Sequence, residues 1–128
     1  VETAGEIDIA AVTILTSLTQ PDVSVFSDHQ IADLVQRLAE SAVNAGCRAI
    51  VCSPHEVKQV RAVVGDQIRL IVPGVRMPAD AADDQMRIAT PAQTVAAGAD
   101  ILVMGRGILG SSTPIEQIAK VVQSIEAR

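Results

Sequence analysis

Two short apolar runs in this chain end in a glycine close to an arginine. One is Arg69-Leu70-Ile71-Val72-Pro73-Gly74-Val75-Arg76; the other is Asp100-Ile101-Leu102-Val103-Met104-Gly105-Arg106-Gly107. No large side chain covers either turn. Such an ending lets backbone N–H groups approach an anion, and a guanidinium can clamp it with charge-assisted hydrogen bonds. The chemistry implied is the binding of one phosphate, shared by two successive strand ends. Between the runs lies a polar loop containing Asp83-Asp84-Gln85-Met86-Arg87, followed by a helix start at Thr90-Pro91. A loop of that length after a strand is more often a lid or binding loop than idle chain.

The other chemistry-bearing residues point elsewhere. His29 and His55 each fall in the first turn of a predicted helix, beside capping residues, which gives them a structural role. Cys47 and Cys52 are too few for a metal site or a disulfide framework. They read as packed thiols of a protein kept in a reducing cytoplasm. Asp80, Asp83 and Asp84 lack the spaced partners that a divalent cation requires, and Arg87 reads equally well as a solvated loop charge. Lys58 and Lys120 are the only lysines, both on predicted helix faces. No acid, base or nucleophile stands in a convincing constellation, so no catalytic residue, metal or cofactor is predicted.

The elements that must position the glycine and arginine ends follow from composition and pattern. A chain of 128 residues suffices for one domain with one core. Hydrophobic residues make up 48%, mean hydropathy is +0.33, and Phe26 is the only aromatic. The core must therefore be Val, Ile, Leu and Ala, which suits a parallel sheet buried on both faces. A net charge of −5 argues against nucleic acid or an anionic membrane as the main partner. No apolar run approaches the ~18 residues of a membrane span, and no signal peptide is visible. A start at Val1 rather than Met is what a processed chain or a fragment would show.

Four strand-turn-helix units then follow in order. Residues 1–9 are weakly patterned and read as the end of a preceding helix or a frayed terminus. Ala10–Leu18 is the first predicted strand; Ser27 to Gln30 has the form of a capping box, and an apolar stripe from Ile31 to Val43 follows, stopped by Gly46. The second unit is Arg48–Cys52, a box from Ser53 to Glu56, and a helix from Val57 to Gly65. The third is Ile68–Val75, the long loop, a box from Thr90 to Gln93, and a stop at Gly98. The fourth is Asp100–Leu109, a box from Thr113 to Glu116, and a helix carrying Ile118, Val121, Val122 and Ile125. The repetition predicts parallel strands with right-handed crossovers and functional loops at the strand carboxyl ends. A closed β/α barrel needs eight such units. Four make an open half-barrel or, as an alternative, a small flavodoxin-like sheet.

The motifs Val12-Thr13-Ile14-Leu15-Thr16-Ser17, Val51-Cys52-Ser53-Pro54-His55-Glu56, Pro73-Gly74-Val75-Arg76, Asp84-Gln85-Met86-Arg87-Ile88-Ala89-Thr90-Pro91 and Gly98 to Arg106 occur in one register. Together they resemble the C-terminal half of the orotidine 5′-phosphate decarboxylase family, from about Ala10 onward. The resemblance implies an α/β chain forming units five to eight, a (βα)4 half of a TIM-type barrel, as a single domain over residues 1–128. It further implies that Thr16 and Ser17 meet the pyrimidine ring and that Pro73 lies beside it. Arg76 and Gln85 would close over the nucleotide, Gln85 bridging base and phosphate, and Gly105 with Arg106 would grip the phosphate. Two positions depart from the family pattern: Asp83 replaces its usual glycine, and Gly107 its usual proline or serine.

The family's Asp-x-Lys-x-x-Asp array, which strains the substrate carboxylate and protonates the carbanion, is absent from this sequence. Two function classes therefore stand. One is the nucleotide-phosphate and pyrimidine-binding half of the decarboxylase, inactive alone and needing an N-terminal half-barrel chain. The other is a non-catalytic half-barrel that self-associates and at most binds phosphorylated ligands. A ribulose-phosphate type of barrel is a third, disfavoured by the Thr-Ser pair and the Asp-Gln-Met-Arg loop. An open half-barrel would expose an apolar inner face and two sheet edges, so a homodimer or larger assembly through that side is expected unless a separate N-terminal half-barrel chain occupies it. Which alternate set of residues faces inward is left undecided by a period of two.

Overall fold

A computed structural model of the chain describes residues 7–78 and 89–127. Four parallel strands form one sheet in the order β1-β2-β3-β4: β1 Ala10–Val12, β2 Ala49–Val51, β3 Arg69–Pro73 and β4 Ile101–Val103. Between and after them run α1 Gln20–Val23, α2 Ile31–Asn44, α3 Val57–Val64, α4 Pro91–Ala96, α5 Arg106–Leu109 and α6 Pro114–Glu126. This is the (βα)4 half of a β/α barrel.

The strands are shorter than their apolar runs. β1 ends at Val12, not Leu18. The Thr13 amide and hydroxyl both donate to the Val51 carbonyl, at 3.2 and 2.9 Å, and the chain then turns over Thr16 and Ser17. The predicted fourth strand likewise stops at Val103, and Arg106–Leu109 winds into the single turn α5.

Of the four predicted capping boxes, the one at Thr90 forms as expected. Its hydroxyl accepts from the Gln93 amide, and the Gln93 side chain accepts from the Thr90 amide, both at 3.2 Å. At the second site the cap residue is Glu56, whose carboxylate reaches back to the Ser53 amide at 2.9 Å, so only that half of the box is present. Thr113 caps α6 without a side-chain bond. The Ser27 box does not form: the cap of α2 is Gln30, and the first helical N–H, that of Ile31, is taken by the Gln20 side chain at 2.8 Å. That acceptor lies on another helix, where no local pattern could place it. The same carboxamide donates to the His29 carbonyl, so His29 takes part through its backbone while its ring is exposed.

The core lies between the sheet and the helices. Ile50, Cys52, Leu70 and Val72 project from one face and are fully buried against Val35 and Ala39 of α2 and Val57 and Val60 of α3. Leu102, Met104 and Ala11 extend that face. Burying each such Val, Leu or Ile contributes on the order of 1.5–3 kcal/mol. The choice between alternate residue sets is thereby settled. The opposite face carries the in-register row Val12, Val51, Ile71 and Ile101, with Val103 beyond it. Val12, Ile101 and Val103 are 57%, 41% and 48% exposed. No helix of the described residues is long and apolar enough to cross a membrane.

One side chain ties the amino ends of the strands to the helix layer. Arg61 of α3 is 16% exposed and donates to the carbonyls of Gly65, Ile68 and Gly98 at 2.6–3.2 Å and to Asp100 at 2.5 Å. Asp100 in turn accepts from the Leu70 amide at 2.7 Å. Gly98 has φ +113°, and a Cβ there would approach the Arg61 side chain to 3.1 Å, so this turn favours glycine on both counts.

Two measurements check this account. Arg61→Leu removes the bonds to three carbonyls and to Asp100, and should lower unfolding free energy by about 2–3 kcal/mol, seen as a lower urea midpoint with an unchanged slope. Asp100→Asn keeps an acceptor for the Leu70 amide and should cost less.

Burial, helped by the Glu56 charge and opposed by Arg61, pushes the Cys52 thiol up to about 12. Iodoacetamide at pH 8 should therefore spare Cys52 in the folded chain, mapped by peptide mass, and modify it after unfolding. An unfolded cysteine ionises near pH 8.5, so the unfolded state alone loses this proton as pH rises from there towards 12. Stability should fall across that window, and Cys52→Ala should flatten the fall.

Candidate functional site

The carboxyl ends of β3 and β4 are neighbours because the strands pair in parallel, Pro73 against Val103. Past them opens a cavity of about 820 Å³, within the usual range for small-molecule sites. Gly74, Val75 and Arg76 form its wall beyond β3. Val103, Gly105, Arg106 and Gly107 form the wall beyond β4, and Gly110, Ser111, Ser112 and Gln117 close it towards α6.

Local chemistry explains this shape. The turn α5 begins at Gly105, and the N–H groups of Arg106 and Gly107 have no acceptor within it, as at any helix start. The Ile108 and Leu109 amides both bond the Gly105 carbonyl, holding the turn closed. Gly110 ends it with its amide on the Arg106 carbonyl at 2.9 Å, and a Cβ at Gly110 would come within 2.7 Å of that same oxygen. Only glycine lets the chain pass so close to the arginine's own backbone. On the opposite wall the Arg76 amide donates to the Ala89 carbonyl at 3.2 Å, joining the two ends of the long loop at its base.

The electrostatics follow from the lining. Two guanidinium groups, Arg76 and Arg106, line one cavity whose walls, among the described residues, include no acidic residue. Among the described residues the ion pairs are Arg61–Asp100 and Arg69–Asp8, so neither cavity arginine is neutralised by one of them. Two cations with hydroxyls and a carboxamide nearby suit a multiply charged anion such as a phosphate monoester.

Of the residues singled out in the sequence, Arg76, Gly105 and Arg106 come together here, and Pro73 sits beside them on β3. Thr16 and Ser17 stand in the exposed turn after β1, at the far edge of the sheet, and are not among the lining residues. Gln85, with Arg87 and the aspartates 80, 83 and 84, lies outside the described residues. Ser111, Ser112 and Gln117 were not foreseen individually; the first two sit in a strand-to-helix loop, the only signal available for them. Among the described residues no three His, Cys, Asp or Glu side chains gather as a metal site. The thiol of Cys52 is buried and protonated, which removes it as a nucleophile at neutral pH.

Comparison with known proteins finds relatives in sequence and in fold. Residues 1–121 match the family described as Orotidine 5′-phosphate decarboxylase / HUMPS. The chain is 51% identical over 115 residues to orotidine 5′-phosphate decarboxylase of Thermobifida fusca, covering 89% of this chain and 49% of that one. It is 44% identical over 118 residues to the Frankia casuarinae enzyme of the same name, covering 89% and 42%. The crystal structure of the Lactobacillus acidophilus decarboxylase superposes with a TM-score of 0.75 at 30% identity, over 92% of this chain and 49% of that one. The Pyrococcus horikoshii decarboxylase, 20% identical with a TM-score of 0.70 over 93% and 51%, shares the fold. The chain spans about half the length of the curated relatives it matches. With matching sequence over nearly its whole length and parallel strands whose ends meet at a two-arginine cavity, the chain belongs to the orotidine 5′-phosphate decarboxylase / HUMPS family.

Proposed function

We propose that this chain is the C-terminal half of an orotidine 5′-phosphate decarboxylase, the half that binds the nucleotide phosphate and pyrimidine. The reaction served is orotidine 5′-phosphate to uridine 5′-phosphate and carbon dioxide, in pyrimidine biosynthesis. The observation that carries this reading is the cavity in which Arg76 and Arg106 meet at two glycine-flanked strand ends. The order of motifs along the chain supports the assignment to units five to eight.

In this reading Arg106 and the amides around Gly105 hold the phosphate, and Arg76 meets it from the β3 side. Closure of the loop that bears Gln85 would use phosphate binding energy to exclude water and orient the ring. Thr16, Ser17 and Pro73 would contact the pyrimidine. The lysine and aspartate groups that release carbon dioxide and protonate the ring carbon must come from an N-terminal half. Lys58 and Lys120 are exposed on α3 and α6 and cannot stand in for them. A non-catalytic half-barrel is the second reading, favoured by the exposed Val12, Ile101 and Val103.

Titration with uridine 5′-phosphate tests the site. Arg106→Ala should weaken binding by about 1.5–3 kcal/mol, the scale of a charge-assisted hydrogen bond. An unchanged affinity would remove the arginine from the site. The chain alone should show no decarboxylation of orotidine 5′-phosphate above the host background. Turnover like that of an intact family enzyme would show that the chemistry resides in this half.

A further inference from the structure

The inner face of α6 is set by spacing. Its buried or half-buried residues are Pro114, Gln117, Val121, Ser124 and Ile125, at the three- and four-residue steps of one helix side. Such a stripe is ordinarily apolar. Here it holds two polar residues, and their surroundings differ. Ser124 donates its hydroxyl to the Val121 carbonyl at 2.7 Å, within the same helix. The Gln117 carboxamide makes no hydrogen bond among the described residues, and it lines the cavity that also holds Arg76 and Arg106. A polar group on an inward stripe normally has a partner. At Gln117 the place for that partner is the cavity.

We propose that Gln117 is a specificity-determining residue of the anion site, its carboxamide N–H donating to a phosphate oxygen from the α6 side. The proposal rests on reading the cavity as a phosphate site, and it adds a residue that lies outside both glycine-arginine strand ends. Three elements wall the cavity: the segment after β3 with Arg76, the turn α5 with Arg106, and α6 with Gln117. A phosphate monoester presents three terminal oxygens around its ester bond, one for each wall. A carboxylate, planar and with two oxygens, would leave one wall idle.

Short-range bonds fix this carboxamide relative to the arginine. The Gly110 amide closes α5 on the Arg106 carbonyl at 2.9 Å, and the Ser111 amide follows onto the Ile108 carbonyl at 3.2 Å. The Ser111 hydroxyl then accepts from the Thr113 amide at 3.1 Å, and the Gln117 amide bonds the Thr113 carbonyl at 3.1 Å. The run is continuous from Arg106 to Gln117. A carboxamide also suits the place electrostatically. It donates to an anion while leaving the charge of the two guanidinium groups unopposed, whereas a carboxylate there would repel the ligand and compete for the arginines.

Titration with ribose 5-phosphate, which carries the phosphate without the pyrimidine, and with uridine 5′-phosphate tests it. Gln117→Leu extends the apolar stripe, so its urea midpoint should equal or exceed the parent's while Kd for both ligands rises roughly tenfold, the loss of one hydrogen bond to a charged group. Gln117→Glu keeps the shape and should weaken both ligands further. Parent-like affinity in either variant, or a parent that binds neither ligand, would overturn the inference. The two ligands separate it from the proposed function. If uridine 5′-phosphate binds no better than ribose 5-phosphate and both respond to Gln117, the pyrimidine assignment falls and the inference stands. If uridine 5′-phosphate binds more tightly but neither ligand responds, the inference falls and the proposed function stands.

Discussion

Ile50, Cys52, Leu70 and Val72 are buried to the last atom or nearly so beneath α2 and α3, and this contact sets the pleat of the sheet. Because side chains alternate along a strand, seating these four on the helix side commits Val51 and Ile71, and by register Val12 and Ile101, to the other face. The same commitment aims the strand ends. With Val72 inward to the helices and Val103 on the open face, the chain leaves β3 and β4 side by side, and the turns that follow share one cavity. A slip of one residue in β3 would turn Arg69 towards the helices in place of Leu70 and shift the two glycine ends relative to each other.

The two ends of the sheet have different work. At the amino ends Arg61 gathers three carbonyls and a carboxylate into one half-buried knot, and Asp100 passes the connection on to the Leu70 amide just before β4 begins. Hydrogen bonds to a charged group are stronger than neutral ones, and here they hold the turn that launches β4 at a fixed place relative to α3. At the carboxyl ends the guanidinium groups of Arg76 and Arg106 have no such partner among the described residues. An arginine spent on carbonyls is a fastener; an arginine beside glycine turns in an open cavity is available to an anion. Both ends use the same residue type, and their surroundings separate the roles. This division, stability below and binding above, is the pattern of β/α barrels.

The apolar character of the chain acquires its meaning at the open face. Of a chain that is 48% hydrophobic, Val12 of β1, Ile101 and Val103 of β4, and Ile115, Ile118 and Val122 of α6 remain exposed, with others on the loops and helices. The curated relatives that this chain matches are about twice as long as the sequence described. The two-arginine cavity and the inner face are separable features. The first depends on glycine turns and arginines local to β3 and β4, the second on the whole width of the sheet.

Much of the molecule was legible in order along the chain. The β-branched runs, the stripe of α2 and the Thr90–Gln93 box each depend on residues a few positions apart, and periodicity reports such contacts directly. The pairing of Arg76 with Gly105 and Arg106 was legible for a related reason: sequential parallel strands put successive loops side by side. Other features were decided in three dimensions. The cap of α2 came from Gln20, because the segment bearing α1 folds back to offer a carboxamide to Ile31. β1 stopped at Val12 where the Val51 carbonyl took both the amide and the hydroxyl of Thr13. Ser111, Ser112 and Gln117 reached the cavity only through the turn that Gly110 permits. The inward face was undecidable from a period of two, since either alternate set is apolar; helix packing chose it, because only one set could bury its side chains against Val35, Ala39, Val57 and Val60.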